Sequence, residues 1–222
     1  MMLCLVTDRR RLGAALGFEA GSHIEVLRAQ LMAAAAAGVD LIQVREPDLE
    51  AGALVQLLRS IVGDLEETSS KVLVNDRLDV AWASGAAGVH LKERAFPVKA
   101  ARAASAPGFL IGRSVHGETP QALSGEADYL IAGTVLPTVS KPSVVCLGWE
   151  GLSRIVKASA GRPVLAIGGI DLPSIPLVAA SGAAGLAAIG AFIPGPGEDL
   201  AEFVQKRVIS MRLGFDSAHS VS

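Results

Sequence analysis

Polar side chains recur where apolar runs of this chain end. Thr7, Asp8 and Arg9 follow "LCLV"; Gln43, Arg45 and Glu46 close "LIQVRE"; Asn75, Asp76 and Arg77 follow "KVLV"; and His90, Lys92 and Glu93 lie in "VHLKE". Ser114 and His116 end "IGRSVH", and Thr134 precedes the loop "PTVSKPS". Guanidinium, ammonium, amide and hydroxyl groups of this kind are donors suited to clustered anionic oxygens. Asn75 and Asp76 offer the hard oxygen ligands that Mg²⁺ takes beside water and phosphate, and are also ordinary residues of a strand-end turn. Thr138, Ser140 and Lys141 put two hydroxyls and an ammonium in one loop, which suits an anion if the loop sits at the same end of the sheet and is otherwise a solvated connection. His116, two residues after Ser114, projects to the same side of a strand and is the acid–base candidate. His90, between Val89 and Leu91, reads as a packed core histidine.

Two later runs, "AIGGI" and "AIGAF", end without polar side chains. There Gly168, Gly169, Ile189 and Gly190 present backbone N–H groups that a ligand oxygen can approach closely. Two readings stand, a phosphate cradle and tight turns that need positive φ.

The elements that must position these residues repeat one local grammar. "AGVDLIQVRE", "SGAAGVHL", "SGEADYLIAG" and "SGAAGLAAIG" each read as a helix end, a glycine and a buried strand. Glycine accepts the left-handed conformation that stops a helix, and the following apolar run suits a strand covered on both faces, as in a parallel sheet. Further runs bring the expected strands to residues 2–6, 40–45, 71–75, 88–91, 110–114, 128–133, 163–168 and 185–190. "HIEVLRAQLMAAAAA" and "GALVQLLRSIVGDL" carry apolar residues at helical spacing. This rhythm predicts an α/β fold, a single-domain (β/α)8 TIM barrel over residues 1–215, with 216–222 a frayed tail. An open doubly wound sheet would want a glycine fingerprint after the first strand, and "VTDRRRLGAALG" has no GxGxxG. In a barrel all the polar strand ends share one face, and the loops after strands seven and eight commonly hold phosphate.

Composition narrows the partners. A net charge of −2 and 4% aromatic residues argue against nucleic acid. The stretch from Asp171 to Glu198 contains no charge between its ends, but Pro173, Pro176, Pro194 and Pro196 break it, so a membrane span is not expected. Cys4 and Cys146 lack CxxC spacing, and "MMLCLVTDRRR" has its charges after its apolar residues, unlike a secretory signal. A cytoplasmic protein acting on small phosphorylated substrates is expected, with homo-oligomerisation left open.

From Leu5 to about Phe192 the motifs "LVTDR", "LIQVRE", "VLVNDRLDVA", "GAAGVHL", "IGRSVH", "VLPTVSK" and "PVLAIGGI", in this order, resemble the thiamin phosphate synthase family and its thiazole tautomerase (TenI-like) relatives. The resemblance implies a TIM barrel and a transferase of thiamin biosynthesis that joins hydroxymethylpyrimidine diphosphate to thiazole phosphate, releasing pyrophosphate with Mg²⁺. It implies that Arg45, Asn75 and Lys141 hold the diphosphate and that Asp76 serves the metal. Gln43, Ser114, Thr138 and Ser140 would orient substrate, and Gly168, Gly169, Ile189 and Gly190 would take the thiazole phosphate.

Three departures from the family pattern bear on this. Pro47 stands where a diphosphate lysine is usual, Ala95 where a second metal aspartate is usual, and Gly190 where a serine is common. Lys92 or Arg94 is available to replace the charge, and Glu93 to reach a metal. The alternatives are a tautomerase, which uses His116 as proton donor and acceptor and needs neither diphosphate nor metal, and a non-catalytic thiazole-phosphate binder.

Overall fold

The computed structural model describes residues 1–118, 125–138 and 145–218. Eight parallel strands, β1 (Met2–Val6), β2 (Leu41–Val44), β3 (Lys71–Asn75), β4 (Gly88–Leu91), β5 (Leu110–Val115), β6 (Tyr129–Gly133), β7 (Val164–Ile167) and β8 (Gly185–Ala188), pair in chain order, and β8 closes onto β1. The (β/α)8 barrel expected from the sequence rhythm is the architecture, and every expected run contains a strand. The last run ends early: Ile189 leaves the extended region and Gly190–Phe192 turns as a 3-10 helix, so β8 stops at Ala188.

Around the strands lie α1 (Arg9–Ala15), α2 (His23–Ala36), α3 (Ala51–Asp64), α4 (Leu78–Ser84), α5 (Val98–Ala103), α6 (Gly148–Ala158), α7 (Ile175–Ala180) and α8 (Leu200–Ser217). Gly38, Gly85, Gly125 and Gly182, the glycines of the repeated grammar, all have positive φ. A side chain there would be strained, so glycine ends the preceding segment and turns the chain into the next strand. The closing helix spans Leu200–Ser217, and Phe215 near its end is buried.

Strand residues alternate between two apolar layers. Leu3, Leu5, Ile42, Val44, Val72, Val74, Val89 and Leu91 face outward under the helices, whereas Cys4, Val6, Leu41, Leu73, Tyr129, Ile131, Leu165 and Ala187 fill the interior. Burial on both faces explains the uninterrupted apolar runs. The buried Cys4 thiol is pushed up to about 12 by desolvation, so it is an inert filler. At the lower rim Asp40 accepts from Leu3 N at 2.7 Å and pairs with Arg212 at 3.1 Å, which ties α8 to the first two strands.

The interior is too narrow for a large side chain on every strand. A Cβ on Gly112 would stand 2.2 Å from the Tyr129 ring, and one on Gly88 would stand 2.2 Å from Leu110 O. Gly112 therefore makes the room in which Tyr129 lies. Gly112→Ala is expected to displace that ring and destabilise the protein by about 1–3 kcal/mol in urea unfolding. Gly63→Ala, in a helix with open space around it, should be neutral or stabilising by up to about 1 kcal/mol.

Candidate active site

The C-terminal strand ends share one rim, and the sequence-expected residues divide there into distinct groups. At the first two strands a buried network forms. Thr7 Oγ1 donates to Glu46 Oε1 at 2.6 Å, Arg9 Nη1 donates to Glu46 Oε2 at 2.7 Å and to Asp48 Oδ1 at 2.8 Å, and Arg9 Nη2 also meets Asp48. Thr7, Arg9 and Glu46 are all buried, so each charge is matched by a partner, as burial demands. The Arg9 guanidinium holds the Asp48 carboxyl well below the usual carboxylate range. Thr7 Oγ1 also accepts from Arg45 N at 2.9 Å, which fixes the backbone that carries Arg45 while its side chain stays exposed.

Inside the mouth, β2 and β3 bring Gln43 and Asn75 together, Gln43 Nε2 donating to Asn75 Oδ1 at 2.9 Å. Gln43 is buried, and its Oε1 has no hydrogen-bond partner. A buried acceptor left open costs on the order of 1–3 kcal/mol unless something donates to it. Next, Asn75 pairs in register with His90. His90 is buried, as a core histidine should be, but it is also bonded: Nδ1 lies 3.1 Å from the Tyr129 hydroxyl and Nε2 lies 2.9 Å from Ser114 Oγ. Burial pushes His90 down from the usual 6.5 to about 3, so its ring is neutral. Among the described residues the buried Tyr129 hydroxyl has no other hydrogen-bond partner, so its O–H donates to Nδ1. Nε2–H then donates to Ser114, which leaves the Ser114 O–H free to point at a ligand.

Asp76 and Lys92 face each other across the ends of β3 and β4. Lys92 Nζ lies 2.6 Å from Asp76 Oδ2, and Lys92 N donates to Asp76 Oδ1 at 3.4 Å. Asp76 has a φ of 62°, a left-handed conformation that aspartate tolerates in turns, and its N–H donates to His90 O at 2.8 Å. One residue on, Glu93 turns to β5: Oε2 lies 3.1 Å from His116 Nδ1, and Oε1 accepts from His116 N at 3.2 Å. Mg²⁺ commonly takes one or two carboxylates and fills its shell with water and phosphate. Here Asp76 is a single carboxylate with both oxygens on Lys92, Ala95 has no ligand atom, and Glu93 is engaged by His116. Among the described residues no three His, Cys, Asp or Glu side chains group as a metal site. This donor set does not fit a divalent ion.

Across the mouth, Gly168 and Gly169 have φ of 103° and 68°. A Cβ on Gly168 would stand 2.5 Å from Thr134 Cγ2, and one on Gly169 would stand 2.6 Å from Pro137 O. The double turn packed on the loop after β6 therefore requires both glycines. Ile189 and Gly190 follow β8, and Arg11 of α1 reaches over them, with Nη2 3.4 Å from where a Gly190 Cβ would lie. Among the described residues Arg11 has no ion-pair partner. Sequence reading passed over Arg11; the signal was the triple arginine after strand one, of which Arg9 and Arg10 pair with acids. Thr138 lies at the end of the described loop after β6, whereas Ser140 and Lys141 fall outside the described residues.

A family model described as thiamine monophosphate synthase matches residues 6–192. A thiamine-phosphate synthase of Coprothermobacter proteolyticus is 38% identical over 169 residues, 75% of this chain and 80% of that protein. Another, from Methanospirillum hungatei, is 36% identical over 178 residues, 79% of this chain and 84% of that protein. A solved thiamine phosphate pyrophosphorylase from Pyrococcus furiosus superposes with a TM-score of 0.74 at 30% identity, covering 98% of this chain and 96% of that one. A 3-hexulose-6-phosphate synthase with a TM-score of 0.63 and 20% identity shares the fold.

The histidine at the centre of the mouth carries a pH signature. Below pH 6.5 the unfolded chain takes up a proton that folded His90 refuses until about pH 3, so stability falls with acid through that window and is unaffected above it. The loss at about pH 5 is roughly 2 kcal/mol. Denaturant unfolding at about pH 7.5 and about pH 5 should show this difference in wild type and a smaller one in His90→Gln; equal differences would place the acid sensitivity elsewhere.

Proposed function

The chain belongs to the thiamine monophosphate synthase family, and on that premise we propose that it joins hydroxymethylpyrimidine diphosphate to thiazole phosphate with release of pyrophosphate. The observation that carries this reading is a polar layer at the barrel mouth that is incomplete without a ligand. Gln43 Oε1 is buried and unpartnered beside Asn75, and the hydrogen-bond chain through His90 leaves the Ser114 O–H available as a donor. A pyrimidine held there finds an acceptor and a donor already oriented, so less ordering entropy is lost on binding.

In this reading the C–O bond between the pyrimidine methylene and the diphosphate breaks first, and the electron pair leaves with the diphosphate. The thiazole nitrogen then forms the new C–N bond to the carbocation-like carbon. The chain's task is to stabilise charge on the departing group and to hold the nitrogen close. Arg45, Asn75 and Lys141 hold diphosphate oxygens, and Gln43, Ser114, Thr138 and Ser140 orient the reactants. The thiazole phosphate lies on the backbone of Gly168, Gly169, Ile189 and Gly190. Arg11 supplies there the cationic donor, in place of the hydroxyl that Gly190 lacks. The Mg²⁺ that the resemblance implies has no fitting ligand set, so no step is routed through it. Small substrates of this kind suit a cytoplasmic enzyme, and no helix among the described residues is long and apolar enough to cross a membrane.

Purified protein supplied with both substrates and Mg²⁺ should form thiamin phosphate above a protein-free control; no product would sink the synthase reading. Arg11→Ala is expected to raise KM for thiazole phosphate about tenfold or more with little change in KM for the diphosphate, because a charge-assisted hydrogen bond contributes about 1.5–3 kcal/mol.

One observation favours a second reading. The Glu93 carboxylate bonded to His116 Nδ1 orients an exposed imidazole, the arrangement a proton donor and acceptor needs. A tautomerase would convert the dihydrothiazole carboxylate phosphate to its aromatic isomer and lose that activity in His116→Ala. An unchanged rate in that variant removes this reading.

A further inference from the structure

Lys92 occupies the place on Asp76 where a cation would act. Both Asp76 oxygens face it, one at 2.6 Å from Nζ and the other at 3.4 Å from its backbone N. The neighbouring acid, Glu93, is bonded twice to His116 and does not reach Asp76. A divalent ion placed on Asp76 would have to displace the ammonium or lie against it, and at a few ångströms two like charges repel. The ammonium has three N–H donors and Asp76 engages one of them. The side chain is 62% exposed, so its other donors are accessible, at the same end of the barrel as Asn75, which ends β3, and Arg45, which follows β2.

We propose that Lys92 is the resident cation of the diphosphate site: its ammonium, anchored by Asp76, meets the departing pyrophosphate directly, and the site binds that group without a divalent metal. This rests on the synthase reading and deepens it. Asp76 is then a positioning residue that holds the lysine, and Lys92 is the catalytic residue that receives charge. No proton transfer is involved: the C–O electron pair goes to the diphosphate oxygen, and Lys92 stays an ammonium throughout.

The probe is inorganic pyrophosphate, titrated calorimetrically into the purified chain in EDTA and again with Mg²⁺. Wild type should bind it in EDTA, with affinity changed less than about threefold by Mg²⁺. Lys92→Ala should lose about tenfold or more in EDTA, Lys92→Arg should retain most of the binding, and Mn²⁺ should show no uptake by wild type in electron paramagnetic resonance. Circular dichroism melting of each variant separates lost binding from lost folding. Pyrophosphate binding by wild type only with Mg²⁺, or not at all, would overturn the proposal, as would Lys92→Ala binding like wild type in EDTA. The two readings fail separately. Metal-free pyrophosphate binding without product formation removes the synthase reading alone, and product formation with metal-dependent binding removes the role of Lys92 alone.

Discussion

Closure of the sheet is the constraint from which the rest follows. Once β8 pairs with β1, the interior has a fixed width, and each inward side chain must be matched in size to those of neighbouring strands. Gly88, Gly112 and Gly185 are inward positions where a Cβ would strike a neighbouring strand or its side chain. Tyr129 uses the space that Gly112 leaves, and its hydroxyl then reaches His90. The hydrogen-bond chain that aims Ser114 is thus set up by packing in the layer beneath it.

Above that layer, charge is distributed by burial. Arg9 and Glu46 satisfy one another where they are buried, and Asp48 pairs with Arg9 at the exposed edge, which holds the β1 and β2 ends together. Lys92 neutralises Asp76, and Glu93 is committed to His116. Among the described residues Arg11 and Arg45 have no ion-pair partner. A chain whose net charge is −2 therefore still places guanidinium groups without an ion-pair partner at this end, while Glu46, Asp48 and Asp76 there are each paired with a base. That is an electrostatic basis for attracting phosphorylated substrates to one end of an otherwise acidic molecule.

Much of this was legible in advance. The glycines with positive φ that precede the strands, the uninterrupted apolar runs and the polar strand ends each follow from a local rule: left-handed turns that glycine tolerates, burial on two faces, and the position of strand C-termini in a barrel. Local rules do not say which of two adjacent charges turns to which strand. Lys92 and Glu93 are neighbours in sequence, yet one reaches back to β3 and the other forward to β5. Arg9, Arg10 and Arg11 are equally indistinguishable by type, and only their placement on α1 sends two to acids and one to the turn after β8.

The sequence by itself determined the barrel, its strands and the inventory of donors at one rim, because periodicity and glycine placement act over a few residues. Tertiary structure alone decided the pairings at that rim: that His90 is a neutral bridge to Ser114, that Asp76 is held by Lys92, and that Arg11 overlies Gly190. The physical reason is that these contacts join residues far apart in the chain, or adjacent residues facing different strands. Their geometry exists only when the closed sheet brings the strand ends within hydrogen-bonding distance.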